Sequence, residues 1–272
     1  LWHSLNEKAG YKHLLTSSRY PFKGSAYDDG PAGFSAPIPS LDVAQVHAYP
    51  KIDQPLGNGC GAIPEFFRNN SIGARRMIRA PLIFSEVGID HTLRNGSSNA
   101  DIAYDPHGAS LHNPMWATAM GQGSGALFWY SSAYIAPRNL WYHFSGFRSF
   151  VDKIPWASAS LRSLDASTVR APSAVSVTAL VDEPMPSDFD VEAEEQGLQD
   201  QQRMWLWVRN ANYDSSWMLA HQGQAVPPVA AGLSVSLPCK GAGQPLELGW
   251  FSTTTGAAIR VPPQNLTCVS GL

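Results

Sequence analysis

Pro81-Leu82-Ile83-Phe84-Ser85-Glu86-Val87-Gly88 sets a short apolar run against a carboxylate and closes it with glycine. A run of that length, bounded by proline and glycine, reads as a buried strand with Glu86 at its end. The same design recurs on both sides. Upstream lie Val43-Ala44-Gln45-Val46-His47 and, before it, His13-Leu14-Leu15-Thr16-Ser17-Ser18; downstream comes Gly125-Ala126-Leu127-Phe128-Trp129-Tyr130. Amphipathic segments at 64–72 and 112–120 read as the intervening helices, and 140–151 as a helix after the last strand. Residues 1–9 read as the end of a helix closed by Gly10. Strands alternating with helices are the pattern of a parallel sheet.

Strand ends at residues 17, 47, 86 and 129 lie 30, 39 and 43 residues apart. An eight-unit barrel of about 250 residues needs roughly 31 per unit, so the spacing fits barrel units with loop insertions. Residues 1–165 are therefore read as α/β, a partial TIM (β/α) barrel of about four βα units. From 171 the composition turns to β-branched and turn-forming residues, with strands expected at 174–181, 203–209, 232–237 and 246–251. Residues 171–272 are read as an all-β sandwich domain. The acidic stretch 182–200, which holds no basic residue, reads as a loop within it.

Composition excludes several classes of function. Only 15% of the 272 residues are charged, the formal net charge is −3, and Arg75-Arg76 with Arg79 is the largest basic group. No nucleic-acid partner is expected from such a chain. Nor is a membrane, for no apolar run is long enough to cross one and residues 1–8 lack the layout of a signal peptide. Nine tryptophans in a charge-poor chain suit carbohydrate, because a flat ring covers the apolar face of a sugar. Cys239 and Cys268 could bridge, which leaves Cys60 alone in a glycine-rich loop; the spacing fits no metal site, and no cofactor is expected. Sequons at Asn69, Asn95 and Asn265 favour a secreted or extracellular location.

Active sites of (β/α) barrels gather at the C-terminal ends of the strands. There this chain offers Ser18, then His47 and Tyr49, then Glu86, then Trp129 and Tyr130. Structural readings compete at each position. Glu86 alone could pair with Arg75, Arg76 or Arg79, His47 could be a satisfied core histidine, and Trp129 could fill a core. Against the second stands Tyr49, which two positions after His47 projects to the same side. His112 and Trp116, four apart on one helix face, read as packing against the barrel; His107 and His143 read as surface or structural, and Asp28-Asp29 as a turn.

The segments Asp42-Val43-Ala44-Gln45-Val46-His47-Ala48-Tyr49 and Pro81 to Gly88 resemble the sixth and seventh strands of the glycoside hydrolase clan that includes family 5 cellulases and β-mannanases. The first is similar to its D-x-x-x-x-H-x-Y motif and the second to its nucleophile motif, P-x-x-x-x-E-x-G. The resemblance continues through Asp105-Pro106-His107-Gly108, Leu111-His112-Asn113, Trp116, the strand from Gly125 to Tyr130, Tyr134-Ile135 and Asn139-Leu140. It ends in Gly249-Trp250-Phe251-Ser252-Thr253-Thr254-Thr255-Gly256, similar to the closing strands of an appended β-domain. It implies that the four units are the last four of the barrel and that Glu86 is the nucleophile of a retaining glycosidase. His47 and Tyr49 would border it, Trp129 would floor the cleavage subsite, and a β-linked glycan would be the substrate.

A retaining enzyme needs a second carboxylic acid about 5 Å from the nucleophile. The clan takes it from an Asn-Glu pair closing the fourth strand. Asn6-Glu7 imitates that pair, yet His13 lies six residues after Glu7, whereas a parallel crossover needs at least about ten. Glu7 is thus read as helix surface, and the acid/base is expected upstream of Leu1 in a barrel half that would complete this one. Alone, half a barrel with open edges is expected to be poorly soluble, domain-swapped or paired with another half, and catalytically weak or inert. Ser131-Ser132 stands where relatives carry further aromatic and acidic residues. The alternative is a non-catalytic carbohydrate-binding or structural remnant of a glycosidase. A serine hydrolase finds no support, since no Gly-x-Ser-x-Gly elbow is present.

Overall fold

The computed structural model describes residues 14–19, 42–50, 63–78, 81–88, 104–128, 131–164, 169–182, 203–229, 235–237, 245–246, 248–259 and 266–267. Two compact units form: residues 1–140 with 213–226, and residues 141–212 with 227–272.

The first unit is built on a four-stranded parallel sheet in the order β1 (Thr16–Arg19), β2 (Val43–Ala48), β3 (Leu82–Val87) and β4 (Gly125–Phe128). Sequential strands are neighbours, joined where described by helices α1 (Ile63–Ile78) and α2 (Ala109–Met120). One face carries Ala44, Val46 and Ala48 of β2 with Leu82, Phe84 and Val87 of β3, all buried. Phe84 meets the edge of Phe67 from α1, ring centroids 5.0 Å apart at 80°. This is therefore the helix-facing side of the sheet.

In α1, Ile63, Phe66, Phe67, Asn70, Ser71 and Ala74 are buried. Their spacing of three and four is one face of a helix. Two of those positions are polar, and each is satisfied within the helix: Asn70 Nδ2 donates to Phe66 O and Ser71 Oγ to Phe67 O, both at 2.8 Å. The sequon at Asn69 thus has its Ser71 hydroxyl fully buried and engaged, closed to glycosylation once α1 has formed.

All twelve residues of α2 are buried. A helix buried all round must be covered all round. Residues 213–226, which return from the β-rich part of the chain, supply part of that cover. Tyr213 sets its ring edge against His112 at 6.1 Å and donates its hydroxyl to His107 O, while its own carbonyl accepts from Asn113 Nδ2. Ser215 Oγ meets Ser110 Oγ at 2.9 Å, and α4 (Ser215–Ala220) follows. His112 stacks on Trp116, so both are packing residues, as their spacing suggested.

In the second unit, α3 (Tyr142–Val151) accompanies an antiparallel sheet of β5 (Leu161–Ser163), β6 (Val175–Asp182) and β7 (Arg203–Asn210). Leu164, Ala179 and Val181 form its core, with Val169, Met204 and Leu206 against them. Antiparallel pairs β8 (Pro245–Leu246) with β11 (Leu266–Thr267) and β9 (Trp250–Phe251) with β10 (Ala258–Ile259) complete the described strands. A Cβ on Gly146 of α3 would come within 2.6 Å of Thr253 O and 2.7 Å of Thr254 O. The tail motif 249–256 therefore turns tightly onto α3, which places this helix in the second unit. The division between the two compact units falls at 140/141, with 213–226 belonging to the first.

Among the described residues the parallel sheet is open, with β1 and β4 at its edges. The proposed Cys239–Cys268 bridge, Cys60, Glu7, Asp28-Asp29 and most of the acidic stretch lie outside the described residues.

The approach of α1 to α2 is testable. A Cβ on Gly121 would sit 2.5 Å from Arg68 O and 2.7 Å from Ser71 Cβ. Gly121→Ala should lower stability by about 1–3 kcal/mol, read as a fall in Tm; an unchanged Tm would contradict the contact.

Candidate functional site

Parallel pairing brings the C-terminal ends of β2 and β3 together. Val46 is level with Phe84, His47 with Glu86, and Ala48 with Val87. Ser85 has no partner in that sequence: β3 spends two residues, Ser85 and Glu86, where β2 spends one. The pairing with β4 shows the same surplus, because Phe84 is level with Ala126 and Val87 with Phe128. One extra residue therefore bulges from β3 just before its carboxylate.

The bulge decides where Glu86 points. Period-two alternation would put Glu86 on the helix-facing side with Leu82 and Phe84. With one residue inserted, Val87 resumes the buried side, and Ser85 and Glu86 are both half-buried. Glu86 thereby joins Gln45 and His47 on the face away from α1.

There His47 Nδ1 lies 2.8 Å from Glu86 Oε2, with the two side chains 20% and 27% exposed. Arg75, a competing cation, is exposed on α1, the helix packed on the opposite face. The partial exposure leaves the pair reachable by a ligand.

The other expected site residues fall as follows. Tyr49 follows β2 directly and is half-buried. Ser18 is level with Gln45, two residues short of His47, so the β1 contribution lies deeper in the sheet than the His47–Glu86 pair. Trp129 and Tyr130 lie outside the described residues, though β4 ends immediately before them.

Two aspartates of the resembling motifs have structural partners. Asp42 Oδ2 accepts from Leu15 N at 2.8 Å while Asp42 N donates to Leu15 O, which locks the register of β1 on β2 at the end away from His47. Asp105 is fully buried and accepts from Ala109 N at 2.9 Å, Ser110 N at 2.7 Å and Tyr134 Oη at 2.6 Å. It satisfies the orphan N–H groups at the start of α2 and ties them to the π-helical turn Ser131–Ile135 beyond β4.

Sequence reasoning missed Ser85 and the Asp105–Tyr134 bond. For Ser85 a signal exists: Leu82 and Phe84 alternate, but the next buried apolar residue is Val87 rather than residue 86, a slip of one. For Asp105–Tyr134 nothing local predicts contact across 29 positions.

No family model, curated protein or solved structure matches this chain, so the site rests on its own geometry. Among the described residues no group of three His, Cys, Asp or Glu is placed to hold a metal ion, and no helix is long and apolar enough to cross a membrane.

Asp105→Ala strands two helix N–H groups and a tyrosine hydroxyl in a buried setting. It should cost about 2–5 kcal/mol, seen as a lower midpoint in denaturant. A midpoint equal to the parent's would show that Asp105 does not anchor α2.

Proposed function

We propose that this chain carries the nucleophile of a retaining glycoside hydrolase acting on β-linked glycan, with Glu86 as the attacking carboxylate. The observation that carries the reading is Glu86 turned away from the helix-facing core and set 2.8 Å from His47, at the C-terminal ends of two parallel strands. Strand ends of this kind are where (β/α) enzymes keep their chemistry. A carboxylate kept half-exposed beside an imidazole is available to an electrophile, whereas one paired with a surface arginine is not.

In this reaction a Glu86 oxygen attacks the anomeric carbon as the glycosidic bond breaks, and the leaving oxygen takes a proton from a second carboxylic acid. Water, deprotonated by that same group, then releases the sugar from Glu86. His47, its Nδ1 2.8 Å from Oε2, stands beside the carboxylate and positions it. Tyr49, Trp129, Tyr130 and Ser18 remain the proposed substrate-binding set. No metal or organic cofactor enters this scheme.

An activated 2-deoxy-2-fluoro-β-glycoside with a dinitrophenolate leaving group tests the nucleophile separately from the acid, since that leaving group needs no proton. Gluco- and manno-configured reagents should be tried, with the labelled peptide mapped by mass spectrometry. Label is expected on Glu86, and Glu86→Gln should lower the labelling rate on the order of 10³-fold or more while retaining oligosaccharide binding. Binding without label in the parent chain would favour a glycan-binding remnant.

A further inference from the structure

We infer that the one-residue bulge at Ser85 is the device that aims the Glu86 carboxylate, making Ser85 a positioning residue of the proposed reaction; the inference rests on that reading of Glu86. Three observations converge on it. The register of β3 slips by one residue against β2 and, over the same residues, against β4. The burial pattern of β3 holds two consecutive half-buried residues, Ser85 and Glu86, between Phe84 and Val87, which are buried. Ser85 Oγ lies 3.5 Å from Val46 O, the carbonyl beside the interrupted ladder.

A bulge bends its strand, raises the local twist and leaves an unpaired residue in the ladder. Those are costs to folding, and the core gains nothing from them: Leu82, Phe84 and Val87 could pack on the helices from a regular strand one residue shorter. What the bulge changes is the direction of the side chains at Ser85 and Glu86. A nucleophile displaced by about 1 Å can lose on the order of 10²-fold in rate, so direction at this position has a large kinetic effect.

Register arithmetic supplies a clean test. Deleting Ser85 leaves Phe84 opposite Val46, Glu86 opposite His47 and Val87 opposite Ala48, the pairs already present. The alternation becomes regular and the buried set is unchanged. The deletion thus removes the bulge while leaving the carboxylate beside its histidine in the register.

The measurement is labelling of the full chain by the fluoro-glycoside, resolved into the reagent's dissociation constant and the inactivation rate constant, with Tm recorded alongside. The deletion variant should melt cooperatively within a few degrees of the parent and bind the reagent within about twofold. Its inactivation rate constant should fall about 10²-fold or more. A merely structural role would move Tm and not that rate constant. If the deletion variant does not melt cooperatively, Ser85→Val decides, because a β-branched residue favours the regular strand; it should slow inactivation about tenfold. Label on the parent and equal inactivation in the deciding variant overturns the inference alone. A parent that takes no label on Glu86 overturns the proposed function and this inference with it.

Discussion

The contact between His47 Nδ1 and Glu86 Oε2 joins two adjacent parallel strands at the level where each ends. Its stabilising value is small: partly exposed pairs contribute about 0–1 kcal/mol, and this one counts as an ion pair only when the imidazole is protonated. Stability therefore does not explain why β3 departs from regular pairing to form it. Many stronger interactions surround the pair, and their common effect is to hold β2 and β3 in the register that makes it.

That register is fixed from both ends of the sheet. At the end away from the site, Ala44 N donates to Pro81 O at 2.9 Å, tying β2 to the start of β3. On the helix-facing side, Val46 and Phe84 stand level and both are buried, with Phe67 of α1 against Phe84. A slip of one residue would turn Phe84 away from α1 and drive Ser85 into the core, a cost far larger than the His47–Glu86 pair itself. Behind α1, the Gly121 approach and the cover provided by 213–226 keep α2 in place. Packing on one face of the sheet thus determines the chemistry available on the other.

Much of this was legible in the sequence, and the failures share a cause. The parallel strands were readable because their apolar runs are short and bounded by turn formers, and Glu86 and His47 because they end such runs. The start of α2 was expected at 112 and found at 109, since Asp105 reaches forward to the N–H groups of Ala109 and Ser110. In α1, expected over 64–72 with its flank and found at 63–78, Asn70 and Ser71 sit within the apolar stripe and bond back to carbonyls four residues earlier. The cover of α2 by Tyr213 was not legible at all, because a contact spanning 100 residues leaves no local periodicity. For the same reason the helix 142–151 was counted with the barrel units, whereas its packing glycine meets a turn more than 100 residues later.

The bulge stands between these cases. Its mark in the sequence is a phase slip within six residues, local enough to see, but hidden by the expectation that a strand alternates to its end. Reading Leu82, Phe84 and Val87 as one face forces an extra residue between Phe84 and Val87, and only then do Ser85 and Glu86 share the other. A regular strand would need a buried, apolar side chain in place of Glu86; a buried carboxylate there would require a partner on the helix-facing side, where Phe67 packs on Phe84. The chain avoids that penalty by moving the carboxylate to the open face. Once there, Glu86 stands beside His47 and stays half-exposed, open to solvent instead of sealed against the helices.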